Sequence, residues 1–140
     1  MTPTVRIGPA GAGDHDAIVE LWTRCDLTRS WNDPSAELGL KLSHDPEGMV
    51  VARIDDVVVG TVMVGFEGHR GWVNYLAVRP DRRDGGIGRQ LMAAAEELLR
   101  RRGAPKVNLQ VRRTNAEVLA FYASLGYLDD DVVSLGKRLA

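Results

Sequence analysis

One glycine-rich segment has the residue types and spacing of an anion-binding loop. An apolar run at residues 72–78 leads into a charged turn that contains Arg83 and ends in Gly85, Gly86 and Gly88, after which a helical pattern begins. Glycines let consecutive backbone N–H groups point toward one centre, and the following helix adds the positive end of its dipole. The expected ligand is a phosphate or pyrophosphate.

Two common phosphate loops do not fit this segment. A Walker loop requires Gly-Lys-Ser/Thr, but Gly88 is followed by Arg89 and Gln90. A dinucleotide fingerprint requires a third glycine or an alanine, but Leu91 occupies that position after Gly86 and Gly88. The alternative without function is an ordinary glycine-rich turn at the start of a helix.

A second pair of polar residues has a spacing suited to chemistry. Asn115 and Tyr122 are seven residues apart, which is two helical turns, so both side chains can face the same way. Asn115 can cap the helix while its amide contacts a ligand. A phenol with a pKa near about 10 can donate a proton to a thiolate whose conjugate acid has a pKa near about 8.5. The alternatives are a plain N-cap for Asn115 and a half-buried core position for Tyr122.

These residues must be positioned by the strands and helices around them. Hydrophobic periodicity and turn residues predict the order β-α-α-β-β-β-α-β-α-β. The strands are expected at residues 5–7, 49–54, 57–66, 72–78, 106–111 and 132–138, and the helices at 14–24, with Asp14 as its cap, 35–43, 86–102 and 115–126. The three consecutive strands form an antiparallel meander. The fifth strand follows a helical crossover and should lie parallel to the fourth. This predicts an α/β (α+β) fold with a mixed, mostly antiparallel sheet flanked by helices.

Length and composition limit the class of protein. The 140 residues fit one domain spanning 1–140, and the net charge of −1 argues against a nucleic-acid scaffold. The single cysteine, Cys25, excludes an internal disulfide and suits the cytoplasm. The three histidines lack ligand spacing, so no metal site is expected. The apolar stretch Val57–Val64 is too short to span a bilayer, and no membrane partner is expected.

Together, the two motifs resemble the GNAT (GCN5-related N-acetyltransferase) superfamily. The resemblance rests on Val78-x-Pro80 followed by Arg83-x-x-Gly86-x-Gly88, and on the strand, Asn115, Tyr122 and Leu125-Gly126-Tyr127. It covers about residues 57–138 and implies the GNAT fold. The implied cosubstrate is acetyl-CoA, and the implied reaction is acetyl transfer to an amine, a small molecule or a peptide, within a ternary complex.

The resemblance also implies roles for individual residues. Tyr122 is the implied general acid that protonates departing coenzyme A. The implied coenzyme-binding residues are Leu76, Ala77, Val78, Arg83, Asp84, Gly85, Gly86, Ile87, Gly88, Arg89 and Asn115. A narrower similarity, at residues 21–34, 68–71 and 134–139, resembles the YpeA-type acetyltransferases of bacteria. It identifies a subfamily without identifying a substrate.

The chain differs from related acetyltransferases at the position of the general base. Related ribosomal-protein N-terminal acetyltransferases commonly carry a glutamate on the strand before the Asn-Tyr helix, where this chain has Gln110. Glutamine cannot accept a proton near neutral pH. Glu67 and His69 are substitute bases through water, and the alternative reading of both is a solvated hairpin tip.

The acceptor side has its own candidates. Trp31 and Asn32 lie between the first two helices, where Trp31 is either a substrate wall or a cover for the core. Asp26 and Asp33 are alternative partners for a substrate ammonium, or ordinary capping and turn residues.

The sequence is also compatible with two other functions. Gln110 in place of glutamate motivates a non-catalytic acyl-CoA-binding or sensing module. The second rival is a scaffold subunit of a larger complex. The sequence leaves the acceptor open among a protein N-terminus, a lysine, an amino acid, a polyamine and an antibiotic. The final predicted strand suggests pairing across a homodimer.

Overall fold

The computed structural model describes residues 4–140. The chain divides into two units, one ending at Leu109 and the other comprising Gln110–Ala140. The first unit contains the sheet and three helices, and the second contains one helix and the C-terminal residues.

The first unit is a five-stranded sheet with strand order β1-β2-β3-β4-β5. Its elements are β1 (Arg6–Pro9), α1 (His15–Arg24), α2 (Pro34–His44), β2 (Met49–Ile54), β3 (Val57–Phe66), β4 (Gly71–Val78), α3 (Ile87–Arg102) and β5 (Val107–Leu109). Neighbouring strands are antiparallel except β4 and β5, which are parallel. The mixed, mostly antiparallel sheet and the parallel crossover are thereby confirmed.

Helices cover both faces of this sheet. Trp22 of α1 donates a hydrogen bond from Nε1 to Oγ1 of Thr61, whereas the neighbouring residue Gly60 faces Leu91 of α3. Consecutive residues of a strand point to opposite faces, so α1 and α3 lie on opposite sides of β3. Coverage of both faces explains why β2 and β3 are almost continuously buried.

Close packing fixes α3 over the sheet. A Cβ at Gly60 would lie 2.9 Å from Cδ1 of Leu91, and a Cβ at Gly71 would lie 2.7 Å from Cδ1 of Leu99. Real side chains almost never approach so closely, so a side chain at either position would force Leu91 or Leu99 to move, and the two glycines allow α3 to pack closely on the sheet. The start of α3, and the glycine turn before it, are therefore held against the sheet.

A charged junction joins the ends of α2 and α3 to β3. Lys41 donates to Oδ2 of Asp45 at 2.7 Å and to the carbonyl of Val64, while Arg102 contacts Oδ1 of Asp45 at 2.8 Å. Hydrogen bonds from Arg102, followed by those from Lys41, lower the pKa of Asp45 to about 2. All three side chains are largely removed from solvent.

The second unit has one helix, α4 (Ala116–Ser124), which is followed by Gly126 with a φ of +94°. The prediction of a final strand at 132–138 is wrong, because residues 128–140 form no regular secondary structure. A strand needs a neighbour for its ladder, and this unit contains none. Val132, Val133 and Leu135 are 73%, 80% and 89% exposed.

Two further predictions need correction. The strand expected at 106–111 is shorter and ends at Leu109 as β5. Asp14 precedes α1, but its side chain does not cap that helix. Instead, it accepts a hydrogen bond from the Gly11 N–H at 2.8 Å and forms an ion pair with Arg53. A strong cation beside the carboxylate outcompetes the helix amides.

Within residues 4–140, none of the helices has both the length and the apolar character needed to cross a membrane. No cluster of three or more His, Cys, Asp or Glu side chains there is arranged to hold a metal ion.

Candidate active site

The glycine segment connects β4 to α3 through a short turn. Pro80–Gly85 form a 3-10 helix, and Gly86 follows with φ +80° and ψ +10° before α3 begins at Ile87. This left-handed conformation favours glycine because a Cβ would be strained there. The predicted order of strand, glycine turn and helix is present.

The turn has room and positive charge for an anion. Added Cβ atoms at Gly85 and Gly86 would meet nothing within 4 Å. Nε of Arg82 is buried and has no hydrogen-bond partner among the described residues. Arg83 is exposed and donates from Nε to the Val78 carbonyl at 3.1 Å. An open backbone surface at a helix start, with the cationic residues Arg82 and Arg83 in the same turn, fits a pyrophosphate group.

The strand before this turn contains a β-bulge. Ala77 pairs with Thr61 and Asn74 with Met63, so Tyr75 and Leu76 together oppose one residue of β3. Tyr75 has a φ of +52°, which is uncommon for a non-glycine residue. Such bulges interrupt the ladder and redirect side chains, often beside active sites. This one includes Leu76 and is followed directly by Ala77 and Val78, all three of which are predicted to bind the coenzyme.

Surrounding groups hold Tyr75 in this conformation. Its ring stacks on the buried Trp22 with 3.8 Å between centroids and 9° between planes. Thr61 donates from Oγ1 to the Tyr75 carbonyl at 2.9 Å. The Tyr75 hydroxyl donates to Oε2 of Glu37 at 3.1 Å, and burial followed by the Glu37 charge raises the pKa of Tyr75 to about 12.

Sequence reasoning missed Glu37 and Tyr75. The sequence carries no turn signal at Tyr75, which stands within an apolar strand pattern. Glu37 reads as an acidic residue in the first turn of a helix, a position common for reasons of helix dipole alone.

In the second unit, Asn115 provides the expected helix cap. Its Oδ1 accepts a hydrogen bond from the Val118 N–H at 3.3 Å, before α4 begins at Ala116. Its role in coenzyme binding stays a prediction.

Tyr122 lies on α4 and is 8% exposed. Its ring makes edge contacts with Phe121 and Tyr127, with centroids 5.2 Å and 5.7 Å away. Burial raises the pKa of Tyr122 to about 12. The hydroxyl therefore stays protonated throughout the physiological range, as a general acid requires.

The geometry of Glu67 favours its structural interpretation. Its carboxylate accepts hydrogen bonds from the N–H groups of His69 and Arg70 and, at 2.8 Å, from Nε1 of Trp72. These bonds, led by the one from Arg70, lower the pKa of Glu67, which makes it a weaker base. Glu67 and His69 precede β4, whereas the glycine turn follows it, and eight residues of strand separate the two by about 25 Å.

The other residues predicted from the sequence to line the acceptor site each have different contacts in the structure. Gln110 donates to the hydroxyl of Ser134 within the second unit. Trp31 is 55% exposed, so it is not a cover for the core. Asp33 caps α2 by accepting from the Ala36 N–H at 3.0 Å. Asp26 lies near Arg29, with 3.7 Å between Oδ1 and the guanidinium.

A shallow hollow elsewhere contains none of the predicted site residues. It lies at the β1 edge of the sheet and is lined by Arg6, Ile7, Gly8, Pro9, Arg53 and Asp56. Arg6 forms an ion pair with Asp56, and Arg53 with Asp14, so its charges are already compensated.

Comparison with known proteins agrees with the fold and the motifs. The model of the acetyltransferase (GNAT) family matches residues 15–127. An acetyltransferase of Pectobacterium atrosepticum is 46% identical over 126 residues, covering 90% of this chain and 89% of the relative. The chain belongs to the GNAT family of acetyltransferases.

Solved structures share the fold at low sequence identity. A transcriptional regulator from Bacillus halodurans has a TM-score of 0.81 with 21% identity, covering 97% of this chain and all of the other. The aminoglycoside N-acetyltransferase AAC(6')-Iy in complex with CoA has a TM-score of 0.79 with 14% identity, covering 100% of this chain and 98% of the other. These two structures support the fold.

Proposed function

We propose that this protein is an acetyl-CoA-dependent N-acetyltransferase in which an amine attacks the thioester directly within a ternary complex. The observation that carries the proposal is the bulge of β4 followed at once by the glycine turn. One strand thus offers a disrupted ladder for the thioester arm and, at its end, an anion site for the pyrophosphate. Family membership supports the same chemistry.

Each residue has a defined task in the proposed reaction. Backbone N–H groups of Leu76–Val78 orient pantetheine and polarise the carbonyl, while the turn from Arg83 to Arg89 binds the pyrophosphate and Asn115 contacts pantetheine. The neutral amine nitrogen forms a bond to the acetyl carbon, and the C–S bond breaks. Tyr122 gives its proton to the leaving thiolate and recovers one when the amine nitrogen loses its proton, through solvent.

The acceptor is an amine carried by a small molecule or a peptide. Aminoglycosides belong in the test panel because a structural neighbour acts on them. N-terminal peptides belong there because Gln110 cannot act as a base, and an α-amine with a pKa near about 7.7–8.0 supplies more free base near neutral pH than a lysine side chain does. Free Cys25 is consistent with a cytoplasmic setting for the reaction.

The decisive experiment is a turnover screen with acetyl-CoA against amines and peptides, following release of coenzyme A by chromatography. Amine-dependent release is expected. Binding of coenzyme A without turnover of any amine would instead indicate an acyl-CoA sensor. Absence of coenzyme A binding would favour a scaffold subunit.

We also propose that the protein forms a homodimer through residues 128–139. Leu128, Val132, Val133, Leu135 and Leu139 are each at least 73% exposed, and a second copy would remove them from water. Sedimentation velocity should show a dimer for the wild type and a monomer for the Val133→Asp/Leu135→Asp variant. A monomeric wild type would contradict the proposal.

A further inference from the structure

The carboxylate of Glu37, beside the bulge of β4, is held by a hydrogen bond and forms no ion pair with a cation among the described residues. Oε2 of Glu37 accepts the hydrogen bond of the Tyr75 hydroxyl, while the carboxylate itself remains exposed. Within residues 4–140, no lysine, arginine or histidine forms an ion pair with Glu37. Three other carboxylates of the same unit have structural partners: Asp33 caps α2, Asp45 binds two cations and Glu67 organises the β3–β4 turn.

The hydrogen bond to Glu37 comes from a rigidly held donor. Tyr75 stacks on Trp22, and its backbone is fixed by Thr61, which also accepts from Trp22. Tyr75 is the first residue of the bulge, directly before Leu76. The fold therefore maintains an uncommon backbone conformation that points a phenol at a carboxylate next to the proposed thioester strand. A favourable helix-dipole position explains an acidic residue in the first turn of α2 but not this arrangement.

We propose that Glu37, oriented by Tyr75, binds a positively charged group of the acceptor other than the amine that reacts. The inference rests on the proposed function, because it assumes that the acceptor approaches β4 at the bulge. It defines the substrate class as amines that carry a second cation.

The chemistry favours the second cation over the reacting amine. A carboxylate next to the reacting nitrogen would stabilise the protonated form, which cannot attack. A carboxylate is also a weak base toward an ammonium group, whose pKa is near about 10.4. By contrast, two ammonium groups in one acceptor lower each other's pKa, so a larger share of the reacting amine is in its free form. That share matters here because Gln110 stands where related proteins have a glutamate base.

The test compares two small amines that differ by one charge, 1,4-diaminobutane and n-butylamine. The measured quantity is the kcat/KM for 1,4-diaminobutane divided by the kcat/KM for n-butylamine. This ratio is determined for the wild type and for the variants Glu37→Gln, Tyr75→Phe and Glu97→Gln. Glu97 is an exposed residue of α3 and provides the same charge change on another helix. Tyr75→Phe keeps the stacked ring and removes the hydroxyl.

The ratio should fall about five- to tenfold in Glu37→Gln. This fold-change lies between the values expected for losing an exposed ion pair and for losing a hydrogen bond to a charged group. The ratio should fall by less in Tyr75→Phe. It should not change in Glu97→Gln. A ratio in Glu37→Gln within twofold of that in Glu97→Gln overturns the proposal, as does an equal loss for both amines.

A binding measurement separates this inference from the proposed function. Calorimetry with coenzyme A reports the coenzyme site, and an NMR titration of 1,4-diaminobutane into the coenzyme-bound protein reports the acceptor site. If coenzyme A binds but no amine is acetylated, the proposed function fails and the titration still decides the role of Glu37. Weaker diamine binding to Glu37→Gln than to Glu97→Gln supports the inference. Equal binding, or no diamine binding to the wild type, overturns it.

Discussion

At the scale of single residues, adjacent glycines of the β4–α3 turn have different requirements. Gly86 has a φ of +80°, so any side chain there strains the backbone. Gly85 has no such conformation, and the space where its Cβ would lie is empty. Gly85 therefore allows the proposed anion site to be blocked without disturbing the fold.

We predict that Gly85→Val weakens coenzyme A binding by at least about tenfold, which corresponds to roughly 1.4 kcal/mol. The added side chain would occupy the space that the pyrophosphate needs. Calorimetry measures the affinity, and thermal melting checks the fold. Gly13→Val is the matched control because Gly13 lies in another 3-10 turn with open space around it. Equal affinities for the two variants would remove the turn from the coenzyme site.

We predict that Tyr122→Phe lowers kcat by about 10²–10⁴-fold, the usual value of a general acid, and changes the KM for acetyl-CoA little. The hydroxyl matters as charge develops on sulfur, so its loss should appear in the transition state. Steady-state kinetics with a saturating amine provide the test. Activity within a few-fold of the wild type would assign Tyr122 to packing between Phe121 and Tyr127.

The sequence allowed prediction of those residues whose structural role depends on the residues next to them in the chain. Gly86 and Asn115 were identifiable because left-handed turns and helix caps favour particular residue types. Tyr75 and Glu37 were not, because their relation joins positions 38 residues apart through a bulge. The long-range pairing of β3 with β4 creates that relation, and no local pattern encodes it.

At the scale of elements, the junction of Lys41, Asp45 and Arg102 joins α2, α3 and β3. Its carboxylate has a pKa lowered from 3.8 to about 2 in the folded protein. A lowered pKa stabilises the fold above the unfolded value, and this contribution is lost as pH falls through the folded value.

We predict that Asp45→Asn lowers the free energy of unfolding by at least about 2 kcal/mol near pH 7, because it leaves two cations without their anion. The difference from the wild type should shrink between about pH 4 and pH 2, where wild-type Asp45 becomes protonated. Urea unfolding across pH measures both effects. Asp55→Asn is a control at an exposed turn between β2 and β3. A difference that persists unchanged at low pH would contradict the ion-pair explanation.

Element boundaries followed the sequence where burial was strong. β2 and β3 begin and end where their apolar runs do, because both faces of these strands are covered. The apolar residues at 132–138 gave the same signal without forming a strand, since strand formation depends on a partner that a pattern cannot supply. The burial of Lys41 was also not predictable, because its buried hydrogen bond goes to the carbonyl of Val64 on β3, 23 residues away.

At the scale of the whole molecule, the proposed site lacks an assigned base, so the acceptor must supply its own free amine. We predict that α-amine peptides outperform matched lysine peptides near pH 7 by roughly two to three powers of ten, following their free-base fractions. The rate should rise across about pH 6.5–9.5. Tyr75 and Tyr122, each with a pKa of about 12, should add no falling limb in that range. A strong lysine preference with a flat profile would show that a dedicated base exists.

The order of the strands also bears on how the sheet assembles. Strand order in space equals strand order in the chain, so each pairing joins two consecutive strands. Hairpins that close over short turns form quickly, and each completed pair is a template for the next strand. We expect the sheet to zip from β2–β3–β4 outward, with α3 delivering β5 last. Because α4 follows β5 in the chain, all five strands leave the ribosome before α4 does.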